Sequence, residues 1–249
     1  MAASPSSCVP TEVLPVSLKP LKKTDRDKPW AKVNDRMSAK RPERRYILVV
    51  SEDEKSSVYY FDEFSKMLKA NAATIGVKPQ GCGRNTQSLV KYARENLPRW
   101  LAKVQEDVDI EDFDEVWILF DKDDFPDYRF DNAVKSAEKQ GFVAGWSNEC
   151  FELWYLLHAQ DQVSAIGRRG IYPKLRSLHE ADRNYETDLK GESGEAFHRM
   201  MAHHPSVRVA LRRAKKLDAE RDHSAPPSRS NPCTKVYGLV EKLLPYVKT

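Results

Sequence analysis

Short unbroken apolar runs alternate with amphipathic stretches along the first two thirds of the chain. Residues 46–50 (Tyr-Ile-Leu-Val-Val) and 116–120 (Val-Trp-Ile-Leu-Phe) are too short for helices and contain no polar interruption. That is the pattern of strands buried on both faces. Residues 142–146 form a third such run and 72–77 a weaker one. Between them the apolar positions switch to helical spacing. Tyr60, Phe61, Phe64, Met67 and Leu68 make one stripe, and Leu89, Val90, Ala93 and Leu97 another. Further helices are expected over 132–140, closed by Gly141, and over the strongly apolar 150–158. Ser56 or Ser57, and Ser147 or Asn148, are the expected helix caps, and Pro98 is expected to bend or break its helix.

Strands alternating with helices at this spacing imply parallel βαβ units, hence an α/β fold with about four parallel strands flanked by helices. From about residue 160 the pattern is helical and polar, with no further strand signal. Helices are expected over 207–217 and from Asn231 or Thr234 onward, the last carrying Val236, Leu239, Val240 and Leu243. The expected division is a flexible basic arm over 1–43, an α/β domain over 44–160 and a helical C-terminal part over 161–249.

Composition refines this picture in a few places. The arm carries six prolines (Pro5, Pro10, Pro15, Pro20, Pro29 and Pro42) among Ser, Lys and Arg, and no apolar period survives there. A formal net charge of +4 permits nucleic-acid binding without arguing for it. No run approaches the ~18 apolar residues of a membrane span. No secretory signal is expected, and Cys8, Cys82, Cys150 and Cys233 have neither zinc nor CxxC spacing. A reduced, cytoplasmic protein is the expectation. Gly81-x-Gly83 lacks the remainder of either phosphate-loop motif, so Gly81 to Thr86 reads as a strand-to-helix turn.

The chemistry concentrates where strands end. The run 116–120 stops at Asp121, Asp123 and Asp124, and the first strand stops at Glu52, Asp53 and Glu54. Alternate residues of an extended chain point the same way, so Asp121 and Asp123 can share one side. In an open parallel sheet the C-terminal ends of strands form the ligand-binding rim. Glu152, in the helix after the 142–146 strand, brings another carboxylate to that rim. Like charges gathered there destabilise unless neutralised, and hard oxygen donors suit Mg2+ or Mn2+. Glu52, Asp121 and Asp123 are the expected ligands, with Glu152 supporting them or acting as general base, in a site suited to phosphodiester chemistry. His158 falls on a different face of the helix from Glu152. On the later helix Arg208, Arg212 and Lys215 form an i, i+4, i+7 basic row, which can track a nucleic-acid backbone or stand as a solvated face.

These residues resemble a known family. A Glu after the first strand and Asp-x-Asp after a later one resemble the Toprim domain of topoisomerases, primases and related nucleases. Over about residues 44–245 the chain is similar to RloB-like proteins. Four elements carry the likeness: Ser51-Glu52-Asp53-Glu54 through Tyr60-Phe61; Asp121-Lys122-Asp123-Asp124; Ser147-Asn148-Glu149-Cys150-Phe151-Glu152 through His158; and Asn231-Pro232-Cys233-Thr234-Lys235-Val236. The resemblance implies a Toprim-like sheet, a divalent-metal nuclease site and a place in anti-phage defence by abortive infection. RNA such as transfer RNA is favoured over DNA, and an ATPase or other defence-system partner is possible. Ser147, Asn148 and Thr234 are expected as caps or loop hydrogen-bonders near the site. The chain departs from the family pattern at Asp53 (Gly there), Ser56-Ser57 (Thr-Glu) and Glu149 (Pro). Those departures motivate the alternative of a non-catalytic scaffold that binds nucleic acid or a partner ATPase. A phospho-aspartyl enzyme at Asp121 is the more distant alternative, since its Asp-x-Asp normally follows the first strand.

Overall fold

A computed structural model describes residues 46–68, 80–81, 86–107, 109–178 and 195–247, all within the compact unit Pro42–Thr249. The arm expected over 1–43 and the weak strand expected over 72–77 lie outside the described residues.

The chain is α/β. Strands β1 (Ile47–Ser51), β2 (Gln80–Gly81), β3 (Glu115–Asp121), β4 (Val143–Asn148) and β5 (Cys233–Thr234) form one sheet in the order β2-β1-β3-β4-β5. All neighbours are parallel except β4 and β5, which are antiparallel. The helices are α1 (Ser56–Lys66), α2 (Thr86–Gln105), α3 (Asp127–Lys139), α4 (Glu152–Ala159), α5 (Arg168–Leu178), α6 (Glu195–Ala202), α7 (Val207–Glu220) and α8 (Val236–Leu243).

The two-residue period of a strand sorts the apolar runs into two cores. Ile47, Val49, Trp117 and Leu119 face one side, where they meet α1 and the helices from α4 onward. Leu48, Val50, Val116, Ile118 and Phe120 face the other, against α2 and α3. That is why these strands read as continuous apolar segments: helices cover both faces. Gly145 on β4 pairs in register with Leu119 on β3, and a Cβ at Gly145 would collide with the Leu119 side chain. Gly141 closes α3 in a left-handed conformation (φ 77°), as its position predicts.

The structure corrects four local expectations. A strand does follow residue 160: β5 pairs with the end of β4, Ser147 with Thr234 and Asn148 with Cys233. Two residues carry no period, so nothing in the local pattern could announce it. The helix around Pro98 runs unbroken from Thr86 to Gln105. Ser56 and Ser57 do not cap α1. Lys55 holds the N-cap position without a side-chain cap, and the Asp53 carboxylate two residues earlier accepts from the Lys55 N–H (3.0 Å) and the Ser57 N–H (2.9 Å). Ser147 and Asn148 do not cap α4 either, because β4 continues through both of them. Among the described residues no helix is long and apolar enough to cross a membrane.

Candidate metal centre

The site is built by strand register. Ser51 pairs with Leu119 and Asp121 pairs with Ser147, so β1, β3 and β4 end side by side. The Glu52 N–H continues the ladder one step further, donating to the Leu119 carbonyl at 3.0 Å. Beyond Asp121 the chain stays beside β4's continuation: Lys122 N–H donates to Ser147 O (2.8 Å) and Asp123 N–H to Glu149 O (3.0 Å). The acids after three separate strands therefore share one rim.

Asp121 sits at its centre. Burial, then the charges of Asp123, Glu152, Asp53 and Glu52, push its carboxyl well above the usual carboxylate range. Glu149 is raised too, by burial and by repulsion from Asp123 and Asp124. Glu152 opens α4 and is 2% exposed, with its Oε1 accepting from the Ser56 hydroxyl at 3.2 Å. Its buried neighbour Tyr155 donates to the Ser56 carbonyl (2.9 Å), and Tyr155 Oη also lies 3.1 Å from His198 Nδ1 on α6. A void of about 10 Å³ opens among Ser51, Glu52, Asp53, Asp121 and Ser147, room for about one water-sized sphere.

The other expected site residues are placed as follows. Asp123 adopts a left-handed backbone (φ 39°), which Asp tolerates better than most residues, and its Oδ1 pairs with Arg168 Nη2. Ser147 Oγ and Thr234 Oγ1 lie 2.8 Å apart, while Asn148 Nδ2 donates to the Pro227 and Ser228 carbonyls. Both residues thus fasten β5 and its preceding loop to the rim. His158 is buried, its Nδ1 2.9 Å from the Trp154 carbonyl at the far end of α4. Arg208, Arg212 and Lys215 are exposed on α7, and Lys215 pairs with Glu241.

Sequence reasoning missed three members of the rim. Asp53 adds to the field on Asp121 while it accepts from the Ser57 N–H at the start of α1. Glu149 extends the acidic field, and Arg168 brings the balancing cation. The basic turn Gly167-Arg168-Arg169-Gly170 is visible in the sequence, but nothing local links it to Asp123.

The donors fit a hard divalent cation. All are oxygens, which suits Mg2+ or Mn2+ rather than zinc. Among the described residues no trio of His, Cys, Asp or Glu is gathered closely enough to hold an ion by itself. Mg2+ does not require such a cage: it takes one or two carboxylates and completes its shell with water and substrate phosphate. Asp121 with Glu52 or Asp123 would be the carboxylates to meet that requirement.

A family model described as RloB-like protein matches residues 47–243, nearly the whole of the described chain. No curated protein and no solved structure matches it.

Proposed function

The chain belongs to the RloB-like protein family, and from that premise we propose that it is a divalent-metal-dependent nuclease of the Toprim type. One observation carries the reading: four other carboxylates bear on Asp121 where adjacent parallel strands end. A fold bears such repulsion at a cost, and functional sites are where that cost is met. Glu52, Asp121 and Asp123 are the residues that would hold Mg2+ or Mn2+. When bound, the ion would polarise a phosphoryl oxygen and lower the pKa of an attacking water. Glu152 is held by Ser56 in a nearly dry setting next to Asp121. That position suits a base that accepts the proton of the attacking water. The exposed Arg208, Arg212 and Lys215 would follow the nucleic-acid backbone. Phage defence, and RNA such as transfer RNA as the target, rest on the family resemblance alone, as does an ATPase or other defence-system partner.

The test is cleavage of transfer RNA and of DNA by the purified chain, with Mg2+ or Mn2+ and with a chelator. RNA is expected to be cut only with the ion. Glu152→Gln is expected to lower the rate by about 10²- to 10⁴-fold, the usual contribution of a positioned base. Equal cleavage by wild type and variant, or cleavage that survives chelation, contradicts the proposal. A second reading, a non-catalytic nucleic-acid-binding scaffold, draws on the Arg168–Asp123 ion pair, since a guanidinium already neutralises one expected ligand. It predicts binding of the same RNA with no cleavage.

A further inference from the structure

Arg168 is the first residue of α5, and its guanidinium reaches the rim to pair with Asp123 Oδ1 through Nη2. The Arg168 side chain keeps 35% of its surface exposed and that of Asp123 22%, so the pair sits at the mouth of the site rather than deep in the core. Its Nε–H is buried and has no hydrogen-bond partner among the described residues, so one donor of the planar fork is unused. Burial works to lower the guanidinium's pKa, but Asp123 outweighs it and the group is held more firmly protonated than usual.

The backbone before Arg168 is pinned to the same rim. Asn231 accepts from the Ile166 N–H (2.9 Å) and returns its amide N–H to the Ile166 carbonyl (3.1 Å). The same amide nitrogen lies 3.5 Å from Glu149 Oε2. Asn231 belongs to one of the four sequence elements of the family likeness, and the proposed chemistry leaves it without a task. Its side chain closes a two-bond clamp two residues before Arg168, so it positions that arginine.

From this we infer that Arg168 is the phosphate-binding residue of the site, parked on Asp123 until a phosphodiester oxygen of the nucleic acid replaces the carboxylate. The inference rests on the nuclease reading and adds the group that receives the substrate. Three features favour a phosphate as the second partner. A guanidinium fork matches a phosphate as well as a carboxylate, and bidentate pairing uses two parallel N–H donors. The exchange also releases Asp123 to the cation, so substrate and metal binding would reinforce one another. Arg169, exposed beside it, adds to the local positive charge.

Two measurements on the full chain test this, each on wild type, Arg168→Gln and Arg168→Lys. The first is the Mn2+ concentration that half-saturates the rise in melting temperature. Removing a cation that competes for Asp123 is expected to lower it about tenfold in Arg168→Gln, while Arg168→Lys stays near wild type. The second is the affinity for a labelled single-stranded RNA in Ca2+ across a salt series. Arg168→Gln is expected to bind more weakly and to reduce the slope of log Kd against log salt by about one, the loss of one phosphate contact. An unchanged or higher Mn2+ midpoint, or an unchanged salt slope, overturns the role of Arg168 while leaving the nuclease reading standing. If Mn2+ does not stabilise the wild type at all, the metal site itself falls, and this role falls with it.

Discussion

Asp121→Asn is expected to make the metal-free protein more stable while removing ion-dependent cleavage. The wild-type carboxyl is raised well above its ordinary value of 3.8 by burial and by Asp123, Glu152, Asp53 and Glu52. A group raised in this way gives its full stability only below its unfolded pKa. That contribution is lost as pH climbs through the higher folded value, because the half-buried acid must then ionise among like charges. Asn is nearly isosteric with the protonated acid and has no such loss. The melting temperatures of variant and wild type should therefore coincide at acid pH and separate above it, the variant higher at neutral pH. Each 1 kcal/mol recovered would show as about 2–4 °C in a chain of this size. Mn2+ should reverse the order by stabilising wild type alone. Removing a single donor that stabilises charge in a transition state costs about 10²–10³ in rate, and loss of the central carboxylate should cost at least that. A variant that melts below the metal-free wild type at neutral pH would contradict this view of the rim.

Asp218→Ala is expected to cause the largest loss of stability. Asp218 is 8% exposed near the end of α7 and ties that helix to the β5–α8 segment. Its carboxylate accepts from Lys235 Nζ (2.5 Å), the Tyr237 hydroxyl (2.6 Å) and Arg221 Nε (2.8 Å). Burial opposes its ionisation, but these bonds outweigh burial and hold its pKa at about 2. Truncation leaves a lysine and a tyrosine hydroxyl partly buried without their acceptor. Breaking a pair of this kind typically costs about 3–5 kcal/mol. The Arg221 and Lys235 heads keep some access to water, so about 2–4 kcal/mol is expected here, read as a fall in the urea midpoint at unchanged slope. The sign of the pH effect is opposite to that of Asp121. A depressed carboxylate gives its full stability above its unfolded value of 3.8, and that stability is lost as pH falls through about 2. Wild type should lose its advantage over Asp218→Ala across that interval. Equal midpoints for the two proteins at neutral pH would show that the cluster contributes nothing.

Much of the fold was legible in the sequence because helices cover both faces of the sheet. The strands that became β1, β3 and β4 could be uniformly apolar, and their short length separated them from helices. The acids at their ends stood out for the same reason: Asp121 closes five apolar residues, which marks it as the point where the chain leaves the core. β2 and β5 carry two residues each, and their places in the sheet come from tertiary contact rather than local pattern. Ser147 looked like a helix cap because Ser often is one. Its partner proved to be Thr234 across β5, a contact no local rule could supply. Arg168 was hidden in the same way, since a bond to Asp123 between distant segments leaves no periodic trace. Asp53, which departs from the family's Gly, looked like damage to the motif, yet its carboxylate takes the Lys55 and Ser57 N–H groups where α1 begins.

The most direct test of the account is anomalous diffraction at the manganese edge from crystals of the protein grown with Mn2+. The account predicts one peak within bonding distance of the Asp121 carboxylate and of at least one carboxylate among Glu52, Asp123 and Glu152. A crystal saturated with Mn2+ that shows no peak at this rim, or shows one only elsewhere on the surface, would contradict it.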